Sequence, residues 1–189
     1  MHDYNTAGEQ RSFDVIPDGT IAVVQMNIRR GNSGEGGLLK RSKNGDAEGL
    51  DAELTVVEGE YVKRKFWSFM IVSGTTDGHQ QASDITMRRL RAMLESARGI
   101  KPTDVSEAAK KARVAEYTDF DGIRFIAKIG VEPARGDFKA KNILGEVVTP
   151  DRKEWRPIEQ GVEPAAKASA KAATSTGAVT PIAKPAWAK

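Results

Sequence analysis

The hydrophobic period of this chain changes twice, and no other feature restricts its possible folds as much. Thr20–Arg29 (TIAVVQMNIR), Asp51–Glu58 (DAELTVVE) and Tyr61–Val72 (YVKRKFWSFMIV) are β-branched or alternate with a period of two, as half-buried strands do. From Ser83 to Arg98 the period becomes helical: Ala82, Met87, Leu90, Met93, Leu94 and Ala97 share one face, and Arg88, Arg91, Glu95 and Arg98 the opposite one. Gly99 supplies a stop and Pro102 blocks continuation. A second, alanine-rich helix is expected over Asp104–Ala115, capped by Asp104 or Ser106. Strand alternation returns in Ile123–Glu132 and Asp137–Val148.

Three strands, a helical insert and two strands make a mainly β fold. The order matches an OB-fold-like, five-stranded, partly open barrel with the helices between strands 3 and 4. A mixed α+β sheet with a helix on one face would produce the same string. Nearly all bulky apolar side chains fall within residues 13–160, which are read as one domain. Residues 1–12 are polar and expected to be disordered. Residues 161–189 hold ten alanines with Pro, Ser, Thr and Lys, too little apolar surface to offset chain entropy, and are expected to form a disordered basic tail. Lys167, Lys171, Lys184 and Lys189 stand there against Glu163 alone, which accounts for the whole formal excess of +3. Any cationic surface on residues 1–160 must therefore come from segregated charge.

Much familiar chemistry is excluded at once. With no cysteine there is no disulfide, thiolate zinc site or cysteine nucleophile, and His2 and His79 are too few for a histidine-rich metal site. No apolar run approaches the roughly 20 residues that span a bilayer, and Met1–Arg11 has no apolar signal core. The expectation is a soluble cytoplasmic protein that is not an enzyme and has no cofactor. Arg30–Gly49, with six glycines beside Arg30, Lys40, Arg41 and Lys43, is expected to be a long flexible loop. Within it Gly31–Gly37 lacks the Gly-Lys-Ser/Thr ending that a nucleotide-phosphate loop requires. Asp46, Asp51 and Glu53, and separately Asp119 and Asp121, have spacings that a metal-dependent nuclease could use, but Asp-x-Asp-Gly is more often a turn. His79 is placed just before the helix, capping it or exposed.

Aromatic and cationic residues are interleaved more suggestively. A strand over Tyr61–Val72 places Tyr61, Lys63, Lys65, Trp67 and Phe69 on one face and Val62, Arg64, Phe66, Met70 and Val72 on the other. The first set has ammonium groups for phosphates and flat rings on which bases stack. Both orientations are open to this strand: with the lysines outward, Trp67 and Phe69 wall a groove and Phe66 enters the core, and the reverse orientation exchanges them. Arg124 with Lys128, and Lys139 with Lys141, share further strand faces, and Arg135 sits in the turn between them.

Glu58-Gly-Glu-Tyr-Val-Lys-Arg-Lys-Phe-Trp67, the helix Thr86–Gly99 ending Ala-Arg-Gly, Gly136-Asp-Phe-Lys-Ala-Lys-Asn142 and Pro150-Asp-Arg-Lys-Glu-Trp155 together resemble a family of phage and prophage proteins. Its members are of unknown function or single-stranded-DNA-binding proteins of replication and recombination modules. The resemblance spans roughly residues 13–156. It implies an OB-like fold that binds single-stranded DNA without sequence preference in the cytoplasm of a bacterial host, with phage recombination or replication proteins as further partners, no membrane, and oligomers open. Bacterial single-strand binders typically end in an acidic tail that recruits partners, whereas this tail is basic, which puts recruitment by that route in doubt. The rival expectation is a protein-interaction module of such a complex, and a metal-dependent nuclease is a weaker third. Deleting residues 161–189 is expected to leave a soluble body with a cooperative thermal melt. Aggregation of the truncated chain would show that the tail belongs to the fold.

Overall fold

A computed structural model describes residues 5–6 and 14–160. The expectations for the basic tail, and for residues 1–12 apart from 5–6, lie outside the described residues.

Strand β1 (Thr20–Ile28) follows the turn Pro17-Asp18-Gly19, closed by the Thr20 amide donating to Pro17 O at 3.2 Å. Its alternation sends Val24, Met26 and Ile28 into the core. After a one-turn 3-10 helix (Glu35–Gly37), β2 (Lys40–Arg41) and β3 (Ala47–Val56) form a hairpin, and β3 runs on to pair with β1 along the same edge. Leu50, Ala52, Leu54 and Val56 of β3 are all but fully buried, so Asp51, Glu53 and Thr55 point the other way. Strand β4 (Lys65–Gly74) occupies the second edge of β3. Strands β5 (Arg124–Glu132) and β6 (Lys141–Val148) continue the sheet beyond β1. The path β4-β3-β1-β5-β6 is antiparallel throughout, and β2 makes a sixth strand among the described residues where five were expected.

Between β4 and β5 lies helix α1 (Asp77–Arg98), followed by α2 (Glu107–Lys111) and a 3-10 turn, Tyr117–Phe120. Helix α1 starts well before Ser83, because Thr76 caps it by accepting the His79 amide at 3.2 Å. His79 therefore lies inside the first turn. Gly99 takes the left-handed conformation that ends the helix, at φ 68°. The buried stripe is centred on Leu90, Met93 and Leu94 and passes through Ser83 and Thr86, which leaves Met87 out at 41% exposure. Ser83 Oγ donates to Val72 O at 2.7 Å, and Ser96 Oγ accepts the Ile126 amide at 3.1 Å, tying α1 to β4 and β5. Helix α2 is much shorter than Asp104–Ala115. Ser106 is its cap, and the Arg113 guanidinium beyond it is drawn back to Glu95 at 2.7 Å and to Asp104 O at 2.7 Å.

Two features decide which part of the sheet surface stays open. On one half of the outer face Val23, Ile126 and Val148 are covered by Trp155 and Ile158, from the segment that follows β6. Trp155 Nε1 donates to Ser96 O at 3.0 Å, and the Gln160 side chain bonds the Arg124 backbone, accepting its N–H at 3.0 Å and donating to its carbonyl at 2.9 Å. On the other side β4 and β6 come close with no ladder between them among the described residues. The segment before β1 lies against β6: Asn142 accepts the Ile16 amide at 2.8 Å and donates to Ile16 O at 2.7 Å, while Ile16 itself is buried. One side-chain amide thus stands in for a strand partner. Asn142→Ala, which orphans both groups, is expected to cost about 1–3 kcal/mol in urea unfolding. An unchanged midpoint would show that the Ile16 segment does not depend on this pair.

Candidate functional site

The pairing registers set out the open half of the outer face as three rows. Arg124, Gln25, Thr55 and Lys65 stand opposite one another across β5, β1, β3 and β4. Asn27, Glu53 and Trp67 form the next row, and Asp51 opposite Phe69 the third. Trp67 is 50% exposed and Phe69 44%, whereas Phe66 and Met70 are buried. The core takes Phe66 because the partner strand β3 already points Leu54 and Leu50 inward opposite Phe66 and Met70. Phe69 owes its position to Gly49: a Cβ there would lie 2.8 Å from the ring and 2.6 Å from Met70 O, so no larger residue fits. A groove of about 410 Å³ runs along this edge, lined by Lys65, Phe66, Trp67 and Phe69, by Asp51, and by Lys141 and Asn142 across the gap to β6.

Most of the cations around this face are paired with carboxylates. Lys65 Nζ lies 2.6 Å from Glu53 Oε1, and Asp51 Oδ2 takes both Arg29 at 2.7 Å and Lys40 at 2.8 Å. Arg41 reaches Glu48 at 3.0 Å, and Lys141 reaches Glu132 at 3.0 Å. Burial pushes the Asp51 carboxyl up, but the hydrogen bonds and charges of Arg29 and Lys40 outweigh it and hold the group below the usual carboxylate range. The stabilisation this implies is present above the ordinary aspartate pKa and is lost as pH falls through the depressed one. Glu48 is also held low, first by the Ser33 hydroxyl and then by Arg41.

These pairs overturn the expectation of a flexible loop over Arg30–Gly49. Leu38 and Leu39 are buried, Ser33 and Leu39 form a bridge, and Lys40 and Arg41 belong to β2, so the segment is folded against the sheet. Arg30 is exposed and donates to Gly36 O at 3.3 Å; Lys43 is exposed in the turn between β2 and β3. Lys63 does not share the Trp67 face through strand alternation. The chain makes two turns, Val62 N–H to Gly59 O and Arg64 N–H to Tyr61 O, before β4 begins, and Lys63 adopts a left-handed φ of 69° within them. Likewise Lys139 precedes β6, because Arg135 and Phe138 close a tight turn on each other, so it shares no strand face with Lys141. Arg135 and Lys139 are exposed at this hairpin tip. Arg124 belongs to the open face, donating to Gln25 Oε1 at 3.0 Å. Lys128, opposite Ile21 and Glu146, lies on the other half of that surface, away from the groove.

The groove thus brings together Lys65, Trp67, Phe69 and Lys141 out of the thirteen residues singled out. Gln25 and Asn27 were missed, although their alternation with Val24, Met26 and Ile28 placed them opposite the core. Phe138, 82% exposed between Arg135 and Lys139, was also passed over. The acidic residues serve the fold: Asp51 and Glu53 hold the ion pairs above, Asp46 Oδ1 accepts from Ser42 at 2.6 Å, Asp121 Oδ1 accepts the Ile28 amide at 2.8 Å, and Asp119 completes a capping box with Glu116. Among the described residues no group of three His, Cys, Asp or Glu could hold a metal ion, and no helix is long and apolar enough to cross a membrane.

No protein-family model and no curated protein matches the chain. The burial difference between the neighbouring rings has a direct consequence. Phe66→Ala is expected to lower unfolding stability by about 3–5 kcal/mol, and Trp67→Ala by about 1 kcal/mol or less. Equal losses in parallel urea titrations would mean that Trp67 packs as a core residue.

Proposed function

We propose that this chain binds single-stranded DNA on the open face of β3 and β4, as a non-enzymatic component of phage or prophage replication or recombination. The observation that carries the proposal is the pair Trp67 and Phe69. Two half-exposed rings succeed one another on one strand face, with Lys65 and Lys141 lining the same groove. The exposed half of such an aromatic row is costly in water; bases supply flat partners for it, each stacked base being worth about 1–3 kcal/mol. The antiparallel order β4-β3-β1-β5-β6, with a helix between β4 and β5, supports an OB-like barrel as the scaffold. In that architecture oligonucleotides lie across the strand face and the loops that flank it.

The paired cations bear on affinity. Lys65, Lys141, Arg29 and Lys40 are each held by a carboxylate, which competes with a phosphate for the cation. Stacking then contributes most of the binding energy and charge the smaller part. A second reading, docking of a partner protein, is favoured by Val105 and Val114 on either side of α2, each 75% exposed.

Titrating the intrinsic tryptophan fluorescence with a mixed-sequence single strand tests the proposal. Log affinity is expected to fall with log salt at a slope of about −0.7 per phosphate, or about −3 for four contacts, and duplex of equal length is expected to bind more weakly. Trp67→Ala is expected to cost about 1–3 kcal/mol of affinity. A preference for duplex, or binding indifferent to Trp67, would transfer the function to the exposed apolar residues around α2.

A further inference from the structure

We infer that this face reads base edges as well as stacking rings, and that Glu53 makes it favour guanine over thymine. The inference rests on the single-strand reading above and departs from the expectation of binding without sequence preference. Glu53 stands directly opposite Trp67 in one ladder and directly opposite Asn27 in the other. Such cross-strand neighbours have Cβ atoms about 4.5–5.5 Å apart. A base stacked on the indole therefore presents its edge to Glu53 and Asn27 of the same row, with Gln25 in the next.

The carboxylate is available and oriented. Its side chain is 22% exposed; Oε1 takes Lys65, and Oε2 has no partner among the described residues. Lys65 fixes the carboxylate and cancels its charge, so a nearby phosphate is not repelled. Asp51, the other carboxylate of the face, cannot play this part, because it is buried and two cations occupy one of its oxygens.

An ionised carboxylate only accepts hydrogen bonds. The Watson–Crick edge of guanine offers it two adjacent donors, N1–H and the N2 amino group. Thymine offers one N–H flanked by two carbonyl oxygens that the carboxylate repels. Unpaired bases present these edges freely, and proteins that recognise single strands commonly bond to them. Gln25 donates to Asn27 Oδ1 at 3.4 Å and accepts from Arg124 at 3.0 Å, so the amides beside Glu53 are themselves held in place.

Short oligonucleotides of alternating thymine and guanine, the same with hypoxanthine for guanine, and thymine alone, titrated into the full chain, test this. The guanine strand is expected to bind about fivefold or more tightly than the thymine strand, with hypoxanthine, which lacks the amino group, between them. Glu53→Gln, which keeps the shape but replaces an acceptor by a donor, is expected to erase the difference while still binding thymine. Equal affinities of the unaltered chain for all three strands would overturn the base preference and leave single-strand binding intact. A preference that survives Glu53→Gln would overturn the role of Glu53. Absence of binding to any of the three would overturn the single-strand reading as well.

Discussion

The rest of the structure depends on the two-edged pairing of β3. Its inward row of Leu50, Ala52, Leu54 and Val56 is almost completely buried, and β1, β2 and β4 all hydrogen-bond to it. Because side chains alternate with a period of two, that inward row compels Asp51, Glu53 and Thr55 to face out. The registers then carry the same parity to Gln25 and Asn27 on one side and to Lys65, Trp67 and Phe69 on the other. A slip of one residue would exchange Trp67 for Phe66 and put the charge of Lys65 into the core.

The outward rows also explain why so glycine-rich a segment as Arg30–Gly49 is folded. Asp51 is buried and needs compensation, since an unpaired charge in that position is costly. Arg29, just before the segment, and Lys40, midway along it, supply it, and the buried Leu38 and Leu39 hold Lys40 in reach. The glycines permit the tight turns, and the ion pairs select one arrangement among those they permit. Much of the positive charge around the resulting face is thus taken up by carboxylates, where sequence counting suggested a cationic clamp. Rings and hydrogen-bonding groups, more than net charge, give it its character.

The covered half of the sheet delimits this face. Trp155 and Ile158 lie over Val23, Ile126 and Val148, and the Gln160 side chain bonds the backbone of Arg124, the residue at which the open rows begin. At the opposite edge, Asn142 both holds Ile16 and lines the groove with Lys141. The open face is therefore bordered by two segments that add no ladder of their own. Side chains, Asn142 at one border and Gln160 at the other, there take the place of backbone partners.

The sequence by itself determined the mainly β character, the single long helix between strands, and the parity groups. That Lys65, Trp67 and Phe69 stand together and apart from Phe66 and Met70 follows from backbone geometry once a strand is recognised. Those are local properties, set by neighbours one and two residues away. Only the tertiary structure decided which group faces inward, because that depended on Leu54 and Leu50 of another strand. It also decided that Lys63 and Lys139 lie outside the strands, in turns whose hydrogen bonds no apolar period announces. The pairing of Arg29, Lys40 and Lys65 with carboxylates was illegible for the same reason, as was the bond between Ile16 and Asn142, 126 residues apart. Alternation is written into successive peptide units, whereas charge neutralisation and edge closure join residues that only folding makes neighbours.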